Sequence, residues 1–391
     1  MTKKAQNQTL FYKNKINGNH VTYKSLDDFN NSSHVLTKCQ IVNNSDFLTN
    51  EKNGSNYIHC TSGSTGTPLK IVISGLAESF RFAAKMRFHK WWGVHFFEKN
   101  ILVWRIKGKD DNSLSFINKL IMMFKNRLDI DVFNLNDKTI HNYVKKINGF
   151  NAKFIRGYKS GLFELATLID RNNLRIESDS LKVAIVTSEM LLEEEREFIQ
   201  KIFNCKVANE YGSAESGFYA AECEKGSMHI NEEIVYIHVD EDNNAYVTEL
   251  YNDRMPLINY RNEDQLVISQ DFCSCGRTSR IIKEIKGRNS DVIKCQDGTV
   301  KSATIFPFII RDALNESFDG AIYQFRFVQK ADDQFELDLV KGPKYSEVMS
   351  SLIKLYFHKE IGDDISFKIN IVSYIEREPS GKRKFFVKKA D

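Results

Sequence analysis

No apolar run in this 391-residue chain reaches the roughly 18–20 residues that a membrane span requires. The opening stretch, MTKKAQNQTLFYKNK, has lysines but no apolar segment behind them, so no secretory signal is expected. Neither charge sign is in surplus. With 55 basic and 51 acidic residues the net charge is +4, which gives no electrostatic argument for a nucleic-acid partner. Internal repeats and low-complexity tracts are also missing. The expected location is the cytoplasm, where the seven cysteines would be reduced or metal-bound rather than paired as disulfides.

What is there fits a folded protein of ordinary composition, 42% hydrophobic and 27% charged. The length points to two or three domains. Residues 1–50 are polar and rich in Asn and Lys, a lead-in with short helices at most. From about 57 short β-rich runs (ILVWRI, AKFIRGY, LKVAIVTS, CKVANEYG) alternate with segments of helical spacing. Those segments are GLAESFRFAAKMRFHKWW, SLSFINKLIMMFKNRL, YKSGLFELATLIDRNN and EMLLEEEREFIQKIF. Strand following helix following strand implies crossover connections and mostly parallel sheets. From about 230 the pattern turns strand-rich, with hairpin character at DEDNN. After GRNSDV (287–292) a smaller α+β pattern begins. The expectation is an α/β protein: a large N-terminal domain, 1–287, with a strand-rich subdomain, and a small α+β domain, 288–391.

Residues 60–70, CTSGSTGTPLK, contain almost nothing that fills a core. Glycine-freed N–H groups, hydroxyls and a lysine can surround phosphate oxygens. The alternative is an ordinary polar hairpin loop. A P-loop kinase is disfavoured, because no lysine follows the second glycine and the next segment alternates like a strand, not a helix. YIHC before the loop is strand-like too, so strand, loop, strand is expected.

TSGSTGTPLK resembles the phosphate-loop motif of the adenylate-forming (acyl-activating) superfamily. ANEYGSAESG (208–217) resembles that superfamily's aromatic-Gly-x-Thr-Glu element, with Ala214 in the Thr position. YRNEDQ (260–265) resembles its Tyr-Arg-Thr-Gly-Asp element, with Glu263 replacing the glycine. GRNSD (287–291) is similar to its hinge, with Ser290 where many relatives have an acidic residue, and PSGKRKFF (379–386) to its C-terminal lysine motif. The five elements keep the family's order from about residue 57 onward. CSCGR (273–277) and GYKSGLFELA (157–166) resemble the phenylacetate–coenzyme A ligase branch and its capsular polysaccharide-associated relatives.

The resemblance implies ATP-dependent activation of a carboxylic acid as an acyl-adenylate, with release of pyrophosphate and then acyl transfer to coenzyme A. An amine or hydroxyl acceptor in surface polysaccharide biosynthesis stays open, as does a non-catalytic nucleotide-binding relative. It assigns Thr61, Ser62, Gly63, Ser64, Thr65, Gly66, Thr67 and Lys70 to the β- and γ-phosphates. Glu210, Tyr211 and Gly212 would border adenine, Asp264 would accept from the ribose hydroxyls, and Arg288 would lie near ribose and phosphate. Glu215 would ligate magnesium, a hard cation that prefers oxygen. Lys382, in a C-terminal lid, would stabilise charge at the α-phosphate. Read on composition alone, the basic segment from 376 onward is a solvated tail.

Cys223, His229, Cys273 and Cys275 supply three thiolates and an imidazole, a closed tetrahedral set that suits structural zinc. The competing reading is four reduced residues without metal, with His229 simply hydrogen-bonded beside a strand. Cys39, Cys60, Cys205 and Cys295 are expected to be packing cysteines. A monomer or homodimer, no nucleic acid and no membrane span complete the expectation.

Overall fold

The structure is a computed structural model that describes residues 5, 7, 9–15, 23–32, 34–50, 56–60, 69–95, 97–106, 126–288, 292–295, 298–314 and 320–388. Short helices α1 (Leu10–Lys15), α2 (Leu26–Asn30), α3 (Lys38–Asn43) and α4 (Ser45–Leu48) come first. The strands β1 (Asn56–Cys60) and β2 (Lys70–Ser74) then lead into α5 (Gly75–Trp91). Next are β3 (Asn100–Trp104), β4 (Arg127–Asp131), α6 (Ile140–Phe150), β5 (Phe154–Tyr158), α7 (Lys159–Arg171), β6 (Val183–Thr187) and α8 (Glu193–Phe203). The strand-rich part holds β7 (Lys206–Ser213), β8 (Gly217–Glu222), β9 (Met228–Ile230), β10 (Val235–Val239), β11 (Asn244–Glu249), β12 (Tyr260–Ser269) and β13 (Ile281–Arg288). The chain closes with β14 (Val292–Lys294), β15 (Val300–Ser302), α9 (Ile305–Ala313), β16 (Ile322–Ala331), β17 (Gln334–Lys341), α10 (Glu347–Ile361), β18 (Ser366–Ile371) and β19 (Phe386–Lys388).

These elements form two compact units, Met1–Trp92 with Glu210–Arg288, and Gly93–Asn209 with Asn289–Asp391. In the first unit β1 and β2 are antiparallel, with Cys60 opposite Lys70, so strands flank the hydroxyl-rich loop on both sides as expected. The loop itself, 61–68, lies outside the described residues. Ser74 caps α5 by accepting the Ala77 N–H at 3.1 Å, and Glu78 in the first turn and Lys90 in the last complement the helix dipole. The strands of this unit run in the order β10-β11-β12-β13-β9-β8-β7, with antiparallel pairings from β10 through β7. The expected hairpin at DEDNN joins β10 to β11, and Asn243 takes its left-handed position.

In the second unit β6, β5, β3 and β4 lie side by side and parallel. Every residue of β6, Val-Ala-Ile-Val-Thr, is buried, the continuous run required of a strand covered on both faces. α6, α7 and α8 bury their apolar stripes against these strands, in a core that includes Ile101, Ile155, Leu162, Leu165, Val186 and Ile199. Of the expected helix at 113–128, residues 113–125 lie outside the described residues, and Arg127 and Leu128 belong to β4. The C-terminal residues form a separate α+β domain with strand order β18-β17-β16-β19. Phe306, Phe327, Phe335 and Phe357 fill its centre, Phe306 and Phe327 stacking with ring centroids 4.2 Å apart. The mixed α/β class with parallel strands, a strand-rich part and a small α+β domain is what the sequence predicts.

Candidate functional site

Three groups of side chains carry chemistry, two in the first unit and one in the second. The first group centres on a bulge in β12. Asn244 pairs with Gln265 but Tyr246 with Arg261, so the three residues 262–264 stand opposite Ala245 alone, two more than a regular ladder holds. Glu263 is left-handed there, with φ +68°. That conformation explains why the resembling element has glycine at this position, and it turns Asn262 and Asp264 inward, where both are buried.

The Asp264 carboxylate is fixed by three donors. The Tyr211 hydroxyl donates to Oδ2 at 2.5 Å, the Asn262 amide to the same oxygen at 3.2 Å, and Arg288 Nε to Oδ1 at 3.2 Å. Burial pushes the Asp264 carboxyl up, opposed by Arg288 and the Tyr211 hydroxyl. Burial also raises Tyr211, and the Asp264 charge reinforces it. A carboxylate offers about four lone-pair sites. Arg288 is the most exposed of the three donors. Asn262 stands inside the YRNEDQ element, at the Thr position of Tyr-Arg-Thr-Gly-Asp, but the resemblance gives it no role. Its signal is the alternation of β12, which puts it on the face of Asp264.

The second part of this group is the turn from β7 to β8, which carries Glu215. Tyr219 Oη lies 2.7 Å from Ser213 Oγ and 2.5 Å from Ser216 Oγ, so three hydroxyls close the turn. A Cβ on Gly212 would lie 2.2 Å from the Gly217 carbonyl oxygen, so the hairpin itself requires the glycine expected to make room for adenine. From α5 the buried Arg81 donates to the Glu215 carbonyl oxygen at 3.4 Å and pairs with Glu249 at 2.8 Å. Burial raises Glu249 to about 7 despite the opposing Arg81 charge. The Glu215 carboxylate accepts no hydrogen bond from a described residue and is half-buried. Arg81 and Glu249 stand outside every quoted motif. Glu210 is buried on β7, and Lys70 is exposed at the start of β2. Thr61, Ser62, Gly63, Ser64, Thr65, Gly66 and Thr67, like Ser290, lie outside the described residues.

The second group is a metal-type cluster, also in the first unit. Ligand atoms of Cys223, His229, Cys273 and Cys275 all lie within 4.8 Å of one another. Cys223 Sγ is 3.7 Å from Cys273 Sγ, and Cys275 Sγ is 3.2 Å from His229 Nε2. Tetrahedral zinc with bonds of about 2.3 Å to sulfur separates its ligands by about 3.8 Å, so the geometry fits. His229 is fully buried, and its Nδ1 is 3.3 Å from the Ser279 carbonyl oxygen, which leaves Nε2 free to ligate. The Lys225 and Cys275 amides point at Cys223 and Cys273 sulfurs from 3.4 and 3.5 Å. Shallow burial works to raise Cys273, but the Ser227 hydroxyl and the Cys275 amide outweigh it and hold the thiol at about 7. Burial pushes Cys223 up to about 11. Arg277, paired with Glu224 at 3.1 Å, covers the Trp91 ring, and that ring's edge meets His229. Of the other cysteines Cys295 is buried and Cys205 half-buried, but Cys39 is exposed, because it sits on the outer face of the short α3; the packing role expected of it fails.

In the second unit Lys382 sits in a turn between β18 and β19, closed by the Gly381 N–H on the Glu378 carbonyl at 2.8 Å and the Glu378 N–H on the Lys382 carbonyl at 2.9 Å. This turn is lodged, not a solvated tail. The Tyr158 hydroxyl donates to the Ser380 carbonyl at 3.1 Å, and the Arg105 guanidinium donates to the Pro379 carbonyl. Gly381 has φ +90°, and a Cβ there would come within 3.0 Å of Arg105 and 3.1 Å of Tyr158. Tyr158 ends β5, and Arg105 follows β3 directly, so the turn occupies the carboxyl ends of parallel strands, where α/β proteins place their chemistry.

The fold is that of the adenylate-forming ligases. It is similar to the crystal structure of a 2-hydroxyisobutyryl-CoA ligase in the postadenylation state with R3-HIB-AMP, at TM-score 0.77 and 18% identity over 99% of this chain and 87% of that one. The thioesterification state of that ligase, with 2-HIB-AMP and CoA, gives TM-score 0.62 and 17% identity over 99% and 87%. The amide bond synthetase McbA of Marinactinospora thermotolerans gives TM-score 0.54 and 11% identity over 84% of this chain and 67% of that one. Residues 299–389 match the CapK C-terminal domain. Over 399 residues the chain is 25% identical to Protein CapK of Staphylococcus aureus, covering 97% of this chain and 83% of that protein. No helix among the described residues is long and apolar enough to cross a membrane.

Proposed function

We propose that this protein is an AMP-forming ligase that activates a carboxylic acid. A carboxylate oxygen attacks the α-phosphorus of ATP, the bond to the bridging oxygen breaks, and pyrophosphate leaves from an acyl-adenylate. The observation that carries the reading is the Tyr211–Asp264–Arg288 set beside the Glu215 turn. Residues from three separated motifs, two resembling nucleotide-binding elements and one the hinge, are joined there by hydrogen bonds.

In this reading Asp264 accepts from the ribose, displacing Arg288 toward phosphate, and Tyr211 presents its ring to adenine. Glu215 holds magnesium, and the hydroxyls of 61–67 with Lys70 receive the terminal phosphates. Magnesium supplies charge neutralisation on phosphate oxygens. Lys382 is the cation for the charge that builds at the α-phosphate, with residues 288–391 as its lid and 1–287 as the substrate-binding domain. The four ligands Cys223, His229, Cys273 and Cys275 hold a structural zinc that ties the β8–β9 turn to the loop after β12.

Coenzyme A is the proposed acyl acceptor, supported by the similarity to a CoA ligase. An amine or hydroxyl acceptor linked to capsule synthesis is the second reading, favoured by the match to CapK and the similarity to an amide bond synthetase. ATP and coenzyme A would come from the cytoplasm. The test is carboxylate-dependent exchange of labelled pyrophosphate into ATP, run over aryl, short acyl and amino acids. Exchange should appear with at least one acid and fall by more than about 10²-fold in Lys382→Ala, which should still fold and bind ATP. Undiminished exchange in that variant would remove Lys382 from the reaction.

A further inference from the structure

Glu189 ends the run LKVAIVTSE, and nothing in the proposed chemistry uses it. It follows Ser188, whose φ of +73° is uncommon for a residue with a side chain. That turn at the end of β6 aims the Glu189 carboxylate between two segments. Oε2 accepts the Ser160 N–H at 2.7 Å, capping the first turn of α7, which has no cap from its own N-terminal residue. Oε1 accepts the Arg383 N–H at 2.9 Å, one peptide beyond Lys382.

Beneath this contact lies a buried ionic knot. Glu164, one turn along α7 from Ser160, pairs with the fully buried Arg377 and, at 3.2 Å, with Arg383. Arg377 also donates to Ser160 Oγ at 3.0 Å and to the Gly381 carbonyl at 2.8 Å. The two arginines before and after Lys382 are therefore tied to one helix, through backbone as well as side chains.

We propose that Glu189 and Glu164 are positioning residues that seat the Lys382 turn on the carboxyl ends of β5 and β6. This rests on the reading of Lys382 as the adenylation cation. Glu189 acts on the backbone beside Lys382, so it sets where that side chain starts without touching substrate. Both of its oxygens accept backbone N–H groups, which a carboxylate can do and an amide cannot. In Glu189→Gln one of those N–H groups must face an NH2 donor, and one anchor is lost with almost no change in volume. Glu164→Gln keeps both Glu189 anchors and leaves two buried guanidinium groups without their countercharge.

The test uses the full-length chain and two readouts. Without any ligand, hydrogen exchange in peptides spanning 377–386 should quicken at least tenfold in Glu189→Gln, while peptides from β16 and β17 keep wild-type protection. With ATP and an active carboxylate, kcat for pyrophosphate exchange should fall about 10²-fold, with KM for both substrates changed less than threefold. If Glu189→Gln does not fold, Glu164→Gln gives the same pair of readouts. Unchanged protection of 377–386 overturns the proposal. Loss of protection across the whole C-terminal domain also overturns it, since the contacts would then be general adhesion. A wild-type protein inert with every acid, in which the turn's protection still depends on Glu189, removes the adenylation reading and leaves the seat standing.

Discussion

Tyr211 and Asp264 share a hydrogen bond of 2.5 Å across 53 residues of sequence, with the hydroxyl on β7 and the carboxylate on β12. The two effects have opposite sense: the Asp264 charge helps push the phenol up, while the phenol proton favours the ionised carboxylate against its burial. Tyr211→Phe keeps the ring and removes the proton donor. A hydrogen bond to a charged group contributes about 1.5 kcal/mol, so KM for ATP should rise roughly tenfold while kcat moves little. Pyrophosphate exchange at varied ATP measures it. An unchanged KM would mean that Asp264 does not need this donor to meet the nucleotide.

Glu249 gives a pH dependence of known sign. Its folded carboxyl titrates near 7 against an ordinary 4.5, because burial disfavours the charge more than Arg81 favours it. A group raised on folding contributes stability that is complete below about 4.5 and is lost as pH climbs through 7. The loss is at most about 3 kcal/mol. Glu249→Gln should remove that decline, so the two unfolding free energies should converge or cross between pH 5 and 8. Parallel profiles in denaturant titrations would refute the assignment.

Zinc content checks the cysteine cluster directly. Elemental analysis should find about one zinc per chain, lost in Cys275→Ser. Because ligand burial couples metal affinity to folding, a strong chelator should lower the melting midpoint by about 5–10 °C. A protein purified without zinc and indifferent to chelator would leave the four residues as a reduced thiol cluster.

Glu263→Gly tests the bulge. A left-handed non-glycine residue costs of order 1 kcal/mol, partly offset by the extra freedom glycine gives the unfolded chain. Stability should therefore stay level or rise by up to about 1 kcal/mol, with ATP affinity retained. A clear fall in the denaturant midpoint would show that the Glu263 side chain itself holds the strand.

Much of the fold is legible because its signals are local. The short, β-branched run VAIVT reads as a strand buried on both faces, and Ser74 before GLAES marks a helix start by its own hydroxyl. Lys382 and Asp264 stand out as candidates because their neighbours repeat a known order of motifs. Glu189, Glu164 and Arg81 are not recognisable, since a glutamate after a strand or an arginine on a helix is ordinary surface chemistry until its partner is known.

Residue types and their spacing determined which segments form strands and helices, and which motifs offer hydroxyls, carboxylates, thiolates and a lysine. Only the tertiary structure decided that Arg377 would be buried against Glu164, 213 residues away, and that Glu189 would hold the amide beside Lys382 from 194 residues away. Such pairs rest on direction and burial. A charge far along the chain becomes a partner only when folding removes the water that would otherwise compete for it.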